Sequence, residues 1–218
     1  GDVVVEEYMS GPEVSVETLS IDGVCHVIQI TDKLTTGAPY YVEMGHSQPT
    51  RHSKETIEKI AKVAKAANRA IGIKNGPSHT EIIVTTEGPK VVELGARLGG
   101  DNITTHLVPL STGVNMVECC IKIALGEKPD IEPKYSKGAA VRYFKQREGV
   151  VKSIDGVEDA EKISGIQQIS IVHGVGEKIT EITSSGARMG FVIAQSENAE
   201  KAIEKCEQAL ELIKVVIG

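Results

Sequence analysis

Two glutamates in the middle of the chain have the spacing of a paired metal-binding site. Glu81 lies in an apolar run that predicts a strand, and Glu93 lies in a second such run after a turn. If residues 86–88 form a three-residue loop, Glu81 falls directly opposite Glu93 on the same face of the sheet. Opposed like charges destabilise a sheet unless one is protonated or a cation lies between them. Oxygen ligands favour Mg²⁺ or Mn²⁺, and Mg²⁺ joins carboxylates to substrate phosphates.

The residues alone leave other interpretations of this segment open. A two-residue loop would place the two carboxylates on opposite faces of the sheet, and the pair could equally be exposed acids on half-buried strands. Arg97 follows Glu93 by four residues and precedes the glycine-containing segment 98–102. Its guanidinium could hold a phosphoryl oxygen or a substrate carboxylate through a bidentate contact, or it could be a solvated side chain beside an ordinary turn.

The composition predicts a globular protein and argues against several classes of partner. The 218 residues are 40% hydrophobic and 25% charged, with no Trp and two Phe, so stacking platforms for bases are not expected. The net charge is −6 and the basic residues are scattered, which argues against nucleic acid or an anionic membrane as a partner. Four cysteines without CxxC spacing favour reduced core thiols and a cytoplasmic location. No apolar run approaches the ~18 residues of a membrane span.

Hydrophobic periodicity and turn signals predict the elements that must position the acids. Strands are predicted over residues 3–9, 14–20, 24–31, 41–44, 79–85 and 90–94. Ser53 is the predicted N-cap of a helix over 54–70 that Gly72 ends, and a second helix is predicted over 113–125. Residues 32–52 are polar and contain Gly and Pro, so we predict an active-site loop region there with one short strand.

A change of pattern divides the chain into two predicted domains. Asp22-Gly23 is a strong hairpin signal in the first part, and a connector with Pro and Lys runs over residues 130–137. The pattern after it is β-rich, with strands predicted over 139–144, 150–154, 168–172, 179–182 and 191–194 and helices over 158–163 and 198–216. We therefore predict an α+β fold with domains at 1–130 and 138–218.

Taken together, these residues resemble the ATP-grasp superfamily. Around its second metal ligand the family has Glu-x-Asn-x-Arg, with another acid a dozen residues earlier, and Glu81, Glu93 and Arg97 match in type and spacing. Gly95 stands where the family commonly has Asn, so the full ligand set of the metal site is left open. The resemblance implies a catalytic lobe with an antiparallel sheet and flanking helices, followed by a smaller β-rich domain. It also implies ATP and Mg²⁺ or Mn²⁺ as cofactors, with Glu81 and Glu93 as metal ligands.

The first residues resemble the linker of the same family that leads into the catalytic lobe. The matching segments are residues 5–9 and 11–17. By this resemblance, Glu6 and the backbones of Glu7 and Met9 contact the adenine edge, and Glu13 contacts the ribose hydroxyls. Without the resemblance, the same residues would be an acidic, exposed strand and turn.

Two further segments are similar to narrower groups within the family. Residues 31–33 and 43–49 resemble the subset that includes bacterial L-amino-acid ligases. There His46 and Arg97 occupy places that contact the reacting carboxyl or acyl phosphate, and Lys33 reaches a nucleotide phosphate. On its own, His46 would be a solvated loop side chain. Residues 138–195 resemble the β-rich C-terminal domain of carbamoyl-phosphate-synthase-like members.

The resemblance implies an ATP-dependent carboxylate–amine ligase. A carboxylate would attack the γ-phosphate to give an acyl phosphate and ADP, and an amine would then displace phosphate. The expected partners are small-molecule carboxylates and amines, and the sequence leaves a homodimer open. A purine-pathway or carbamoyl-phosphate-type ligase and a non-catalytic nucleotide-binding module are the alternatives. The substrate domain and phosphate-gripping lobe of the family would precede Val3, so we expect the chain alone to be inactive.

Overall fold

Eight antiparallel strands form the main sheet of the computed structural model, which describes residues 3–218. In chain order the strands are β1 (Glu13–Ile21), β2 (Val24–Thr35), β3 (Glu43–Gln48), β4 (Gly76–Thr85), β5 (Gly88–Gly95), β6 (Gly138–Tyr143), β7 (Gly149–Asp155), β8 (Ile166–Ile171), β9 (Lys178–Ile179), β10 (Gly190–Ser196) and β11 (Lys214–Ile217). The main sheet has the order β5-β4-β1-β2-β3-β6-β10-β8, and β11-β7-β9 form a second sheet. The predicted α+β class is confirmed.

In the part of the chain that the structure describes, five α-helices flank these sheets. They are α1 (Lys54–Ile71), α2 (Val108–Thr112), α3 (Met116–Ala124), α4 (Val157–Glu161) and α5 (Ala199–Leu212). A π-helical turn over Ile103–Leu107 leads directly into α2. Within the described part of the chain, no single helix has the length and apolarity of a membrane span. The bent pair of segments 103–112 and 116–124 meets both criteria only when the two are taken together.

Local signals explain the first hairpin and the first helix, both as predicted. The turn between β1 and β2 places Asp22 and Gly23 at φ 51° and 82°, the left-handed conformation that a two-residue hairpin turn requires. Ser53 accepts a hydrogen bond from the Thr56 backbone at the start of α1, and Gly72 ends the helix at φ 81°. The buried face of α1 packs against apolar side chains of β1, β2 and β4.

The hairpin of β4 and β5 gives the predicted pairing of acids by an unpredicted route. Thr85 pairs with Gly88, so the loop has two residues and the predicted three-residue loop is wrong. A β-bulge then shifts the register, because Ile82 pairs with Val91 whereas Glu81 pairs with Glu93. A two-residue loop alone would have separated the acids, and the bulge compensates. Glu81 and Glu93 are therefore direct cross-strand neighbours.

Several predicted elements differ from the structure, among them the strand predicted over 179–182, which is only the two-residue strand β9. Residues 3–9 form no strand, and Val3 to Val5 are exposed and pair with no other strand of the described chain. The helix predicted over 113–125 begins only at Met116, because Gly113 takes φ 79° and ends α2. The helix predicted over 198–216 ends at Leu212, and the β-branched run after it pairs with β7 as strand β11.

The main sheet is continuous across the predicted connector. Strand β6 pairs with β3 on one side and with β10 on the other, and α5 packs over β6 and β10. The domain limits 1–130 and 138–218 stay a prediction, and Gly1 and Asp2 lie outside the described residues. Segments before and after the connector therefore lie side by side in one sheet.

Candidate active site

A polar cavity of about 180 Å³ opens beside the central strands of the main sheet. Most of its wall consists of ionisable side chains, including Lys33, Glu43, His46, His79, Glu81 and Asp101. Arg97 and Ser185 also line the cavity. Of the nine site residues predicted from the sequence, Lys33, His46, Glu81 and Arg97 thus line one cavity, although they lie on four different segments.

Lys33 is the central cation of the cavity, and its side chain is 4% exposed. Its Nζ donates to Glu13 Oε1 at 2.6 Å and lies 3.2 Å from Glu81 Oε1 and 3.7 Å from Glu43 Oε1. Burial opposes the charge on Lys33, but the hydrogen bond to Glu13 and the charge of Glu81 raise its pKa. Lys33 is therefore protonated. Burial also raises the pKa of Glu13, against the effect of Lys33.

His79 connects a fully buried acid with the cavity acid Glu81. Its Nδ1 lies 2.5 Å from Glu17 Oε1, and its Nε2 lies 3.3 Å from Glu81 Oε1. Burial opposes protonation, yet the hydrogen bonds to Glu17 and Glu81 raise the pKa of His79 to about 9. The hydrogen bond from His79, helped by the charge of Lys33, lowers the pKa of Glu81 to about 2. Glu81 is thus an ionised carboxylate at neutral pH.

The two predicted metal ligands occupy different environments. Glu81 has a side-chain exposure of 19%, whereas Glu93 is 60% exposed and lies outside the cavity wall, 3.8 Å from Arg97 Nη2. Residues 3–218 contain no cluster of three or more His, Cys, Asp or Glu side chains able to hold a metal ion. Mg²⁺ needs only one or two carboxylates when phosphates supply further oxygens. The paired oxygen donors Glu81 and Glu93 fit that requirement.

Arg188, in the segment before β10, pairs with the cavity residue Asp101. The guanidinium donates to both Asp101 carboxylate oxygens, at 2.8 and 2.7 Å, and to the Glu43 carbonyl at 2.9 Å. It also stacks 3.8 Å from the centre of the Tyr143 ring. Burial opposes ionisation of Asp101, but hydrogen bonds from Arg188 and His46 hold its pKa well below the ordinary range.

His46 lies on strand β3, where the sequence predicted a loop. Its side chain is 2% exposed, and its Nε2 lies 3.3 Å from Asp101 Oδ2. Burial lowers the pKa of His46 despite the neighbouring Asp101, so the ring is neutral. An ionised carboxylate only accepts hydrogen bonds, so Nε2 carries the proton. Nδ1 is then a buried acceptor without a donor in the described part of the chain.

The predicted adenine contacts lie apart from this cavity. Glu6 and Glu7 are exposed and Met9 is half-buried, in a segment without regular secondary structure. None of the three lines the cavity, whereas Glu13 adjoins it through Lys33. The structure therefore brings the predicted phosphate-contacting residues and Glu81 together in one cavity, whereas Glu93 and the predicted adenine contacts lie outside its wall.

Sequence reasoning gave no role to Glu17, His79, Asp101 or Arg188. One signal for His79 was present, because it lies two residues before Glu81 on one strand and so points to the same face. Asp101 and Arg188 are 87 positions apart, and their contact depends on tertiary structure. No local pattern indicates such a pair.

Two family models match this chain, and together they cover most of it. The ATP-grasp domain matches residues 1–105, and the L-amino acid ligase C-terminal domain 2 matches residues 130–218. Arg188 thus belongs to the second match, and its partner Asp101 belongs to the first. The chain spans about half the length of the curated relatives it matches.

Individual proteins agree with these matches. The alanine–anticapsin ligase of Bacillus subtilis (strain 168) is 29% identical over 185 residues, covering 80% of this chain and 37% of the relative. The crystal structure of an L-amino acid ligase from Bacillus licheniformis is 27% identical, with a TM-score of 0.85 over 97% of this chain and 53% of that chain. A phosphoribosylglycinamide synthetase from Anaerococcus prevotii shares the fold at 20% identity, with a TM-score of 0.86 over 97% of this chain and 55% of that chain.

Proposed function

Because residues 1–105 match the ATP-grasp domain and residues 130–218 match the L-amino acid ligase C-terminal domain 2, we propose that the protein carrying this chain is an ATP-dependent carbon–nitrogen ligase that joins a carboxylate to an amine through an acyl phosphate. The observation that carries the proposal is the cross-strand pair of Glu81 and Glu93 beside a cavity with Lys33 and Arg97. Phosphoryl transfer is catalysed mainly by positioning and by neutralising charge. This cavity is suited to both tasks.

Glu81 and Glu93 are the proposed ligands of Mg²⁺ or Mn²⁺. When bound, the metal would neutralise the phosphate oxygens of ATP. Glu81 supports this role because it is ionised and held from two sides, by Lys33 and His79. Glu93 supplies a second carboxylate with more freedom to adjust, because it is mostly exposed.

Lys33, His46 and Arg97 are the proposed catalytic residues. Lys33 is a protonated, cavity-lining amine suited to a phosphate oxygen. Arg97 is half-exposed, so its guanidinium has room to turn towards an acyl phosphate. His46 lines the same cavity as a neutral ring. All three lie within one cavity, and this proximity is the support that the geometry provides.

For the nucleotide we propose that Glu6 and the backbones of Glu7 and Met9 contact adenine and that Glu13 contacts the ribose. Glu13 supports this arrangement because it lies beside Lys33, the residue proposed to contact a phosphate oxygen. An exposed segment before β1 is accessible to a base. A cytoplasmic location also belongs to the proposal, supported by the four cysteines, all of which are free thiols.

Amino acids are the proposed substrate class. The match of residues 130–218 to the L-amino acid ligase C-terminal domain 2 supports it, and so does the 27% identity to the Bacillus licheniformis ligase. The match to the phosphoribosylglycinamide synthetase concerns the fold alone at 20% identity. An amino acid carries both a cation and an anion, and the cavity wall presents charges of both signs.

The test uses the complete open reading frame that carries this chain. The purified product is incubated with ATP, Mg²⁺ and pairs of L-amino acids, and ADP and dipeptides are quantified by mass spectrometry. Glu93→Gln should lower ADP formation at least 100-fold, since removal of one strong electrostatic contact costs about 10²–10³ in rate. Glu87→Gln on the exposed loop of the same hairpin is the matched control and should retain the wild-type rate. ADP formation by Glu93→Gln at the wild-type rate, or no ADP with any carboxylate, would refute the proposal.

A further inference from the structure

Glu17 and His79 form a buried pair at the cavity, in which His79 is part of the wall and Glu17 is not. They are direct partners across β1 and β4, as Ser15 and Glu81 are two register positions further along. Residues two apart on a strand share a face, so all four side chains point to the cavity side of the sheet. Glu17 has no exposed surface and His79 is 4% exposed. The pair is therefore a polar layer beneath Glu81.

Stability does not explain why this pair is buried. Burying an ion pair costs desolvation energy that its attraction only partly offsets, and apolar residues of the same volume often serve as well. Glu17 Oε2 and the neighbouring Ser15 Oγ are also buried without a hydrogen-bond partner among the described residues, which adds a further cost. Because the Glu17 carboxylate is buried despite this cost, its role is to position a neighbouring group.

The loop after β5 is closely packed over the same pair. A Cβ atom on Gly99 would lie 2.7 Å from His79 Nδ1 and 2.8 Å from both carboxylate oxygens of Glu17. Glycine thus allows the backbone to cover the pair and exclude water from it. Thr104 holds that loop by donating to the Gly99 carbonyl at 2.7 Å. The ring of His79 is consequently held by its contacts with two glutamates and by the Gly99 backbone that packs against it.

The contacts of His79 and Lys33 converge on a single atom of Glu81. His79 Nε2 lies 3.3 Å and Lys33 Nζ lies 3.2 Å from Glu81 Oε1. Two donors on one carboxylate oxygen fix the direction of the group and leave the other oxygen to face a ligand. A metal-binding carboxylate needs such orientation, and removing an outer partner of this kind typically costs 10–100-fold in metal affinity.

We propose that Glu17 and His79 are positioning residues that orient Glu81, so that its Oε2 is presented to the divalent cation. Glu17 holds the His79 ring, and the ring holds Glu81 Oε1. In this proposal both residues act through Glu81. The inference rests on the proposed function, because it takes Glu81 as a metal ligand.

The test compares two replacements of one ring in the complete protein. The amide nitrogen of His79→Gln reaches the place of Nε2 and can still donate to Glu81. The shorter His79→Asn reaches only the place of Nδ1 and keeps the contact with Glu17. The readout is the Kd of Mn²⁺ in the presence of ADP, obtained from the electron paramagnetic resonance signal of free Mn²⁺. His173→Ala, a surface histidine in the β-rich part, is the control.

We expect His79→Asn and His79→Ala to weaken Mn²⁺ binding about 10–100-fold, and His79→Gln to recover affinity to within about threefold of wild type. Glu17→Gln should weaken it about tenfold, while ADP binding without metal stays unchanged in every variant. If His79→Ala fails to fold, the comparison of His79→Gln with His79→Asn is sufficient to test the inference. Equal Mn²⁺ affinities of these two variants would overturn the inference. Glu93→Gln separates the hypotheses, because unchanged Mn²⁺ binding in that variant would remove the metal site itself, and with it the proposed function.

Discussion

Removing either partner of the Arg188–Asp101 ion pair should destabilise the chain by about 2–3 kcal/mol. Breaking a fully buried pair by deleting one partner costs about 3–5 kcal/mol. We expect a smaller cost here because solvent screens part of the charge of this pair. Arg188 is 8% exposed and Asp101 is 24% exposed, so neither charge is fully rehydrated when its partner is lost. At about 2–4 °C per kcal/mol for a chain of this size, Tm should fall by about 4–12 °C.

The perturbations are Arg188→Met, Asp101→Asn and the double variant of the 218-residue chain. Each single variant leaves the other charge unpaired, whereas the double variant removes both, so the cycle isolates the interaction. We expect a coupling energy of about 1.5–3 kcal/mol. Arg188→Met also loses the hydrogen bond to the Glu43 carbonyl and the contact with Tyr143, so its effect should exceed that of Asp101→Asn.

The pH dependence of this pair has a definite sign. Burial opposes the ionisation of folded Asp101, but the hydrogen bonds from Arg188 and His46, together with their charges, hold its pKa below its ordinary value. The stabilisation is therefore complete above the unfolded-state pKa of about 3.9 and is lost as the pH falls through the lower folded-state pKa. The stability difference between wild type and Asp101→Asn should be constant from pH 7 to about 5 and should shrink below about pH 4.

Urea denaturation followed by circular dichroism measures these free energies. The matched control is the pair of Lys162 and Asp159, whose side chains are both 72% exposed at an N–O distance of 2.7 Å. Its coupling energy should not exceed about 0.5 kcal/mol. A coupling energy for Arg188 and Asp101 as small as that of the control would refute the reasoning, because burial would then have no effect on the pair.

Further predictions concern stability and use the same denaturation assay. Gly99→Ala should cost about 1–3 kcal/mol because its Cβ would contact a buried carboxylate and imidazole, whereas Gly100→Ala, with no atom within 4 Å, should cost under about 1 kcal/mol. Equal effects would contradict the packing argument. Ser53→Ala should cost about 1 kcal/mol through loss of the helix cap. Ile60→Ala should cost about 2–5 kcal/mol, and Ile121→Ala, at 56% exposure, under about 1 kcal/mol. A reversed order of the two isoleucines would show that burial does not govern the cost.

Elements with complete local signals could be predicted from the sequence. The Asp22-Gly23 turn and the Ser53 cap act within a few residues, so the β1–β2 hairpin and α1 occur where the sequence places them. Elements that depend on distant partners could not be placed. The valines at residues 3–5 have strand propensity, but no strand of the described chain pairs with them. The run after Leu212 is a strand only because β7 is available to pair with it.

The pairing of Glu81 with Glu93 shows how a correct contact can come from an incorrect register. The predicted loop was one residue too long, and a bulge that no turn signal indicates supplies the missing residue. His46 shows the opposite case. Its resemblance to a family position placed it at the site, but its segment is a buried strand and its ring is neutral. Spacing and resemblance thus indicated which residues meet, while the state of each side chain required the tertiary structure.

The ion pairs around the cavity divide into a fixed set and a loose pair, and this division bears on the proposed function. Lys33, His79 and Arg188 are each at most 8% exposed, and each contacts an acid at 2.5–2.7 Å, so separating these pairs is costly. Glu93 and Arg97 are both more than half exposed, 3.8 Å apart, and such a pair contributes about 0–1 kcal/mol. In a ligase that uses this cavity, the arrival of a metal–phosphate group would therefore rearrange Glu93 and Arg97 at little cost. The buried pairs would keep Glu81 and Asp101 in place.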